Sequence, residues 1–110
     1  MNGQELSVAV AEQMTIIFVV LNDQSLGMVK HGQRIAGAEQ IACSLPATDF
    51  AALARALGAE AHTIVSPQDL LDLDIEAICE RKGPTLLDVH VAADEIPPMS
   101  VRMRVLSAAL

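Results

Sequence analysis

The sequence has very few aromatic residues. It contains no tryptophan and no tyrosine, and its two phenylalanines are Phe18 and Phe50. Because 52% of the residues are nevertheless hydrophobic, the core must be built from aliphatic side chains. A chain of this size buries roughly 65% of the surface that it exposes when unfolded, and such an apolar content offsets the entropy of ordering. We therefore expect an ordered chain that forms one domain or part of one.

Cysteine and positive charge are also scarce. Cys43 and Cys79 are too few for a disulfide framework, and they do not form the Cys-x-x-Cys pattern of zinc or redox sites. A net charge of −7 without any basic run argues against nonspecific binding to nucleic acid or to an anionic membrane. No apolar run approaches the ~20 residues of a membrane helix, and the first residues lack the pattern of a signal peptide. We therefore expect a cytoplasmic protein without nucleic-acid or membrane partners.

The hydrophobic pattern predicts helices that alternate with strands. Helices are predicted at 4–12, 50–57 and 66–81, and strands at 14–21, 61–65 and 85–91. The segment from 22 to 48 has no stable period and is predicted to be mostly loop. This order is typical of crossovers onto a parallel sheet, so we predict a three-layer α/β fold in which helices flank the sheet. Three strands are few and no strand precedes the first helix, so the fold is expected to be incomplete.

The chain divides into two parts by this pattern. Residues 1–93 contain every predicted helix and strand. Residues 94–110 contain the Pro97-Pro98 pair and are predicted to form an extended tail that lies against another surface.

A polar cluster follows the first predicted strand. Residues 22–25, Asn-Asp-Gln-Ser, lie where that strand ends, and ligands collect at the carboxyl ends of parallel strands. Amide, carboxylate and carbonyl oxygens followed by Gly27 suit a hard cation such as Mg²⁺, which usually shares its ligands with a phosphate. The same residue types are common in ordinary turns. A metal site and a plain turn are therefore both open at this point.

These residues, with the Leu-Gly-Met-Val segment at 26–29, resemble the second half of the cofactor signature in the acetolactate synthase-like family of thiamine diphosphate-dependent enzymes. In that family a Gly-Asp-Gly segment is followed further along the chain by Asn-Asn or Asn-Asp. Other segments that resemble the family are 1–6, 49–54, 83–89 and 97–99. The resemblance therefore covers nearly the whole chain.

The resemblance implies a role for each residue of the cluster. Residues 1–93 would be the C-terminal part of the domain that binds the diphosphate of thiamine diphosphate. Asp23 would bind Mg²⁺ through its side chain, and Ser25 would bind it through its backbone carbonyl. The diphosphate would be held by Asn22 and by the backbone amides around Leu26, Gly27 and Met28.

Two parts of the family's site are missing from the sequence. The Gly-Asp-Gly segment, whose aspartate is the other protein ligand of the metal, would lie just before Met1. The activating glutamate belongs to a separate domain. We therefore expect a fragment, beginning at an internal methionine, of an enzyme that decarboxylates and condenses 2-oxo acids, and we expect the fragment alone to be inactive. Gly32 stands where many acetolactate synthases carry a bulky aromatic residue, so the resemblance does not specify which 2-oxo acid is used.

A second hypothesis is a stand-alone α/β module that self-associates without catalysis. An unpaired apolar strand is a template for pairing, so a homo-oligomer is expected under either hypothesis. A Gly-Asp-Gly segment encoded in frame before Met1 would favour the enzyme, whereas a stop codon there would favour the module.

The remaining reactive side chains are expected to have structural roles. His31 lies in the predicted loop and is expected to be solvated, with contact to a substrate as the alternative. Cys43 and Cys79 are expected to be buried as small apolar residues. The acidic stretch at 69–74 is expected to be the solvated face of a helix.

Overall fold

Three short segments form the strands of the sheet, and the first and the third of them are rich in Val, Ile and Leu. In the computed structural model, which describes residues 3–95, these strands are β1 (Ile17–Asn22), β2 (Glu60–Ile64) and β3 (Thr85–His90). The sheet order is β1-β3-β2, and β3 pairs in parallel with both neighbours. The parallel α/β fold and its incompleteness are thereby confirmed. The predicted tail lies, from residue 96 onward, outside the described residues.

Five helices connect or precede the strands. They are α1 (Gln4–Ala11), α2 (Gly27–Ile35), α3 (Phe50–Ala56), α4 (Pro67–Leu71) and α5 (Ile75–Glu80). Helix α3 packs on β2 and β3, and it presents the fully buried Ala51 and Ala54, whose small side chains allow close approach. Within the described residues no helix has the length and apolar character needed to cross a membrane.

The core is aliphatic, as the composition predicts. It contains leucines from α1 and β3 together with alanines from α3 and from the region of β2, and the two phenylalanines are partly buried against it. Its buried members are Leu6, Ala51, Ala54, Ala59, Ala61 and Leu86. Cys43 is buried as expected, but the prediction for Cys79 was wrong, because this residue is exposed.

Helix α2 corrects the prediction that the segment after β1 is mostly loop. It begins at Gly27 and contains Gly32, and glycines weaken the helical signal of a sequence because they are poor helix formers. The expectation that His31 lies solvated in a loop was also wrong. His31 is helical and only 7% exposed.

The long helix predicted over 66–81 is instead two short ones. Ser66 and Asp69 form a capping box at the start of α4, and Asp74 accepts a hydrogen bond from the Ala77 amide at 3.0 Å, which caps α5. Hydrogen bonds from the Val65 amide and from Ser66 lower the pKa of Asp69. These aspartates therefore cap the starts of two short helices, which one solvated face of a long helix would not do.

Candidate functional site

The candidate residues lie together at the carboxyl ends of the strands. The register places Asn22, the last residue of β1, opposite His90 of β3. Asn22 is only 6% exposed. Its Nδ2 donates to the Thr48 carbonyl at 3.0 Å and to Asp88 Oδ1 at 3.0 Å. Since a primary amide has two hydrogens, these two bonds use both of them.

Asp23 closes a tight turn immediately after the strand. Its Oδ1 accepts from the Ser25 amide at 3.0 Å, and its Oδ2 accepts from the Ser25 hydroxyl at 3.0 Å. Gln24, between them, has a positive φ of 52°. This is the side-chain-to-backbone turn that aspartate commonly forms, and it holds the carboxylate beside the start of α2.

Ser25 is held in place by an isolated antiparallel bridge to Ser44. The bonds of this bridge are made by its neighbours, from the Leu26 amide to the Cys43 carbonyl at 2.7 Å and from the Leu45 amide to the Gln24 carbonyl at 2.8 Å. Ser25 is therefore in a non-hydrogen-bonded pair. The Ser25 carbonyl makes no hydrogen bond in this bridge and can therefore bind a cation.

The N-terminus of α2 lies next to this turn. Leu26 is the N-cap residue of α2, and no side chain among the described residues caps the start of this helix. The amides of Gly27 and Met28 lack intrahelical acceptors at this position, and they carry the positive end of the helix dipole. The Leu26 amide is already bound to the Cys43 carbonyl. Of the three predicted diphosphate-binding amides, those of Gly27 and Met28 are thus available to an anion.

Gly27 leaves space that the Asp23 carboxylate occupies. A Cβ at this position would lie 2.7 Å from Asp23 Oδ2, which is closer than van der Waals contact. Any larger residue would therefore displace the carboxylate or the start of the helix.

An open cavity of about 590 Å³ adjoins the turn and is lined by Asp23, Ser25, Lys30 and Ser44 among others. Lys30 is one helical turn into α2, and its ammonium lies 2.8 Å from Asp94 Oδ1 and 3.2 Å from the Ala93 carbonyl. This lysine lowers the pKa of Asp94. Lys30 could not be singled out from the sequence, because one basic residue in a predicted loop carries no signal.

The donor set at the turn can be compared with what a magnesium ion needs. Among residues 3–95, no three His, Cys, Asp or Glu side chains are grouped closely enough to hold a metal. A magnesium ion shared with phosphate, however, needs only one or two carboxylates, because phosphate oxygens and waters complete its shell. The Asp23 carboxylate and the Ser25 carbonyl therefore fit a magnesium diphosphate whose remaining ligands come from outside the described residues.

Comparison with known proteins identifies the family. Residues 1–89 match the family described as "Thiamine pyrophosphate enzyme, C-terminal TPP binding domain". The chain belongs to this family. Thiamine pyrophosphate is another name for thiamine diphosphate, so the resemblance found in the sequence is confirmed at the level of the domain.

Large subunits of acetolactate synthase are among the relatives. The chain is 33% identical to that of Parasynechococcus marenigrum over 108 residues, which cover 89% of this chain and 17% of the relative. It is 34% identical over 109 residues to the isozyme 3 large subunit of Escherichia coli, covering 93% of this chain and 19% of the relative. The chain thus resembles the C-terminal domain of acetolactate synthases and spans less than a fifth of the length of these relatives.

The structure places all of the predicted site residues, from Asn22 to Met28, on one continuous turn and helix start. Their roles toward metal and diphosphate stay predictions. In this geometry Asn22 has no amide hydrogen left for a diphosphate oxygen, which indicates a role within the chain. Its partner Asp88 was not singled out from the sequence as a site residue, because nothing in the spacing joins positions that lie 66 residues apart.

Proposed function

We propose that this chain supplies the C-terminal part of the diphosphate-binding domain of a thiamine diphosphate- and magnesium-dependent enzyme that decarboxylates and condenses 2-oxo acids. The observation that carries the proposal is the uncapped start of α2 beside the Asp23 carboxylate. A helix start with free amides attracts phosphate, and the adjacent carboxylate attracts the cation that accompanies it. The likeness to acetolactate synthases supports the choice of 2-oxo acids as substrates.

The residues of this chain would hold one end of the cofactor. Asp23 and Ser25 would bind Mg²⁺ through the carboxylate and the carbonyl, and the amides of Gly27 and Met28 would bind diphosphate oxygens. When bound, thiamine diphosphate supplies the electron sink that decarboxylation requires. The buried Asn22 and the bridge from Ser25 to Ser44 would keep these ligands fixed, so that the cofactor is oriented without reorganisation of the loop.

The expected result for the isolated chain is weak binding and no turnover. This sequence lacks one of the three expected protein ligands of the metal, the aspartate of Gly-Asp-Gly, and it lacks the activating glutamate. Calorimetric titration with thiamine diphosphate and MgCl₂ should therefore give an affinity weaker than micromolar. Carboligase assays with pyruvate should give no product. Micromolar binding, or any product above that of a blank, would contradict this prediction.

Where the weak binding occurs can be located with Mn²⁺ as a paramagnetic substitute for Mg²⁺. In the presence of thiamine diphosphate, Mn²⁺ should selectively broaden the amide resonances of Asp23, Ser25 and Gly27. Asp23→Ala should abolish the effect, and Asp72→Ala, which removes an exposed carboxylate from the end of α4, should not. Uniform broadening, or broadening centred elsewhere, would contradict the proposed site.

We further propose that the chain forms homo-oligomers through β1. Within the described residues β1 is an edge strand. The side chains on one face of this strand are exposed, with Ile17 at 40%, Val19 at 57% and Leu21 at 68%. An apolar edge strand favours pairing with a second copy. This observation also supports the alternative function, a self-associating module without catalysis.

Light scattering tests the role of β1. The unmodified chain is expected to be a dimer or larger, and Val19→Lys is expected to shift it to a monomer, because a charge on the edge blocks strand pairing. Leu71→Lys is the matched control, since Leu71 is also exposed but lies on α4 beside β2, at the other edge of the sheet. A monomer for the unmodified chain would refute self-association.

A further inference from the structure

Asp88 is a carboxylate buried in the middle of the sheet. It lies on the central strand β3 and is only 1% exposed. The nearest basic side chain among the described residues is the imidazole of His90, whose Nε2 lies 3.8 Å from Asp88 Oδ2. Burying a carboxylate is costly unless hydrogen bonds compensate it. Its position therefore calls for a role that an apolar side chain could not perform.

The two oxygens of Asp88 join two separate segments. Oδ1 accepts from Asn22 Nδ2 at 3.0 Å, at the end of β1, and Oδ2 accepts from the Phe50 amide at 3.0 Å, at the start of α3. The second hydrogen of the Asn22 amide is held by the Thr48 carbonyl at 3.0 Å, two residues before Phe50. Asn22, Asp88 and the segment from Thr48 to Phe50 are thus joined in a closed hydrogen-bonded ring. This ring fixes the end of β1 against the start of α3.

We propose that Asp88 is a positioning residue of the cofactor site. It acts through Asn22: by holding that side chain, it fixes the point at which the chain leaves the sheet and turns through Asp23 to Ser25. The carboxylate and carbonyl predicted to bind Mg²⁺ come one and three residues after Asn22, so their placement depends on this anchor. The purpose of the positioning rests on the proposed function, whereas the positioning itself is a property of this chain.

A carboxylate is the side chain that this connection needs. Both groups that point at Asp88 are donors, the amide of Asn22 and the backbone N–H of Phe50. An ionised carboxylate presents acceptors at both oxygens, whereas an asparagine would present one acceptor and one donor. The chemistry of the two partners therefore accounts for Asp rather than Asn on this strand.

Hydrogen exchange at the Ser25 amide measures the positioning without any cofactor. This amide is bound to Asp23 Oδ1, so its exchange reports how firmly the turn is held. Asp88→Ala is expected to accelerate exchange at Ser25 by about tenfold or more relative to Thr85, as expected for loss of a hydrogen bond to a charged group. The Thr85 amide is bound to the Ile16 carbonyl at the opposite end of the sheet and reports global opening. Asp72→Ala is the control and should change neither rate.

Asn22→Ala removes the hydrogen bond between Asn22 and Asp88 and leaves the bond from the Phe50 amide to Asp88 intact. This variant tests the proposal if Asp88→Ala does not fold. It should accelerate exchange at Ser25 to a similar extent. The double variant should exchange no faster at Ser25 than the faster single variant, because coupled residues are not additive.

Equal exchange at Ser25 in the single variants and the unmodified chain would overturn the proposal, as would independent effects that multiply in the double variant. Failure of the proposed function looks different. If Mn²⁺ with thiamine diphosphate does not broaden Ser25 in the unmodified chain, the metal site is refuted, and the exchange comparison still decides the role of Asp88.

Discussion

Leu86→Ala is expected to lower the free energy of unfolding by about 2–5 kcal/mol, the range measured for comparable truncations in buried cores. Leu86 lies on the central strand, paired with Phe18 on one side and Ala61 on the other, and is 7% exposed. It belongs to the main core cluster with Leu6 of α1. The neighbouring alanines cannot move into the space that it would leave. Domains of this size have a total stability of about 5–15 kcal/mol, so this single change should remove a large part of it.

Urea denaturation followed by far-ultraviolet circular dichroism measures the effect, since the chain has no tryptophan to serve as a fluorescent probe. Leu71→Ala makes the same chemical change at a position that is 76% exposed, and it should alter stability by no more than about 0.5 kcal/mol. Similar losses for the two variants would mean that the core does not lie between β3 and its flanking helices.

β1 and β3 could be predicted from the sequence because each is a short segment rich in Val, Ile or Leu. The last strand was predicted at 85–91 and is found at Thr85–His90. Central strands of parallel sheets are buried on both faces and need no alternation. This is the pattern in β3, where Thr85 to Asp88 are all buried. Local composition is sufficient in such a case.

The helices show where local reasoning fails. The stretch from 66 to 81 has leucine and isoleucine at helical spacing, yet it divides at Asp72 to Asp74 because Asp74 caps a new helix. Helix α2 was missed because it begins at Gly27 and its interior contains Gly32. In both segments, bonds formed in the folded chain outweigh the weak preference of the sequence.

The candidate site likewise has a part that could be predicted from the sequence and a part that could not. Residues 22–28 are consecutive, so their chemistry could be predicted from their order and from the resemblance to the family. Asp88 and Thr48, which hold Asn22, are distant from it in sequence, and Asp94, which binds Lys30, is distant from that lysine. The backbone pairing of β1 with β3 brings Asn22 beside Asp88. The proposed ligands could therefore be selected from the sequence, whereas the groups that position them could not.

Gly27→Ala is expected to weaken Mn²⁺ binding at the turn by about tenfold or more, which corresponds to the loss of one favourable interaction with a charged group. The added Cβ would lie 2.7 Å from Asp23 Oδ2. Asp23 is short, and both of its oxygens are bound to Ser25, so it cannot rotate away without breaking the turn. The carboxylate must leave its place beside the helix start, and the proposed metal ligands then separate.

The matched control for this prediction is Gly32→Ala, in the same helix. A Cβ there would meet nothing within 4 Å, and replacing a helical glycine by alanine should stabilise the chain by about 0.4–1 kcal/mol. Mn²⁺ titrations followed by broadening of the Ser25 amide, together with urea denaturation, measure both effects in both variants. Gly27→Ala also gains helix propensity, so its stability can stay near that of the unmodified chain while its metal affinity falls. Equal Mn²⁺ affinities for the two variants would contradict the prediction. They would show that the Asp23 carboxylate does not bind the metal from its position beside Gly27.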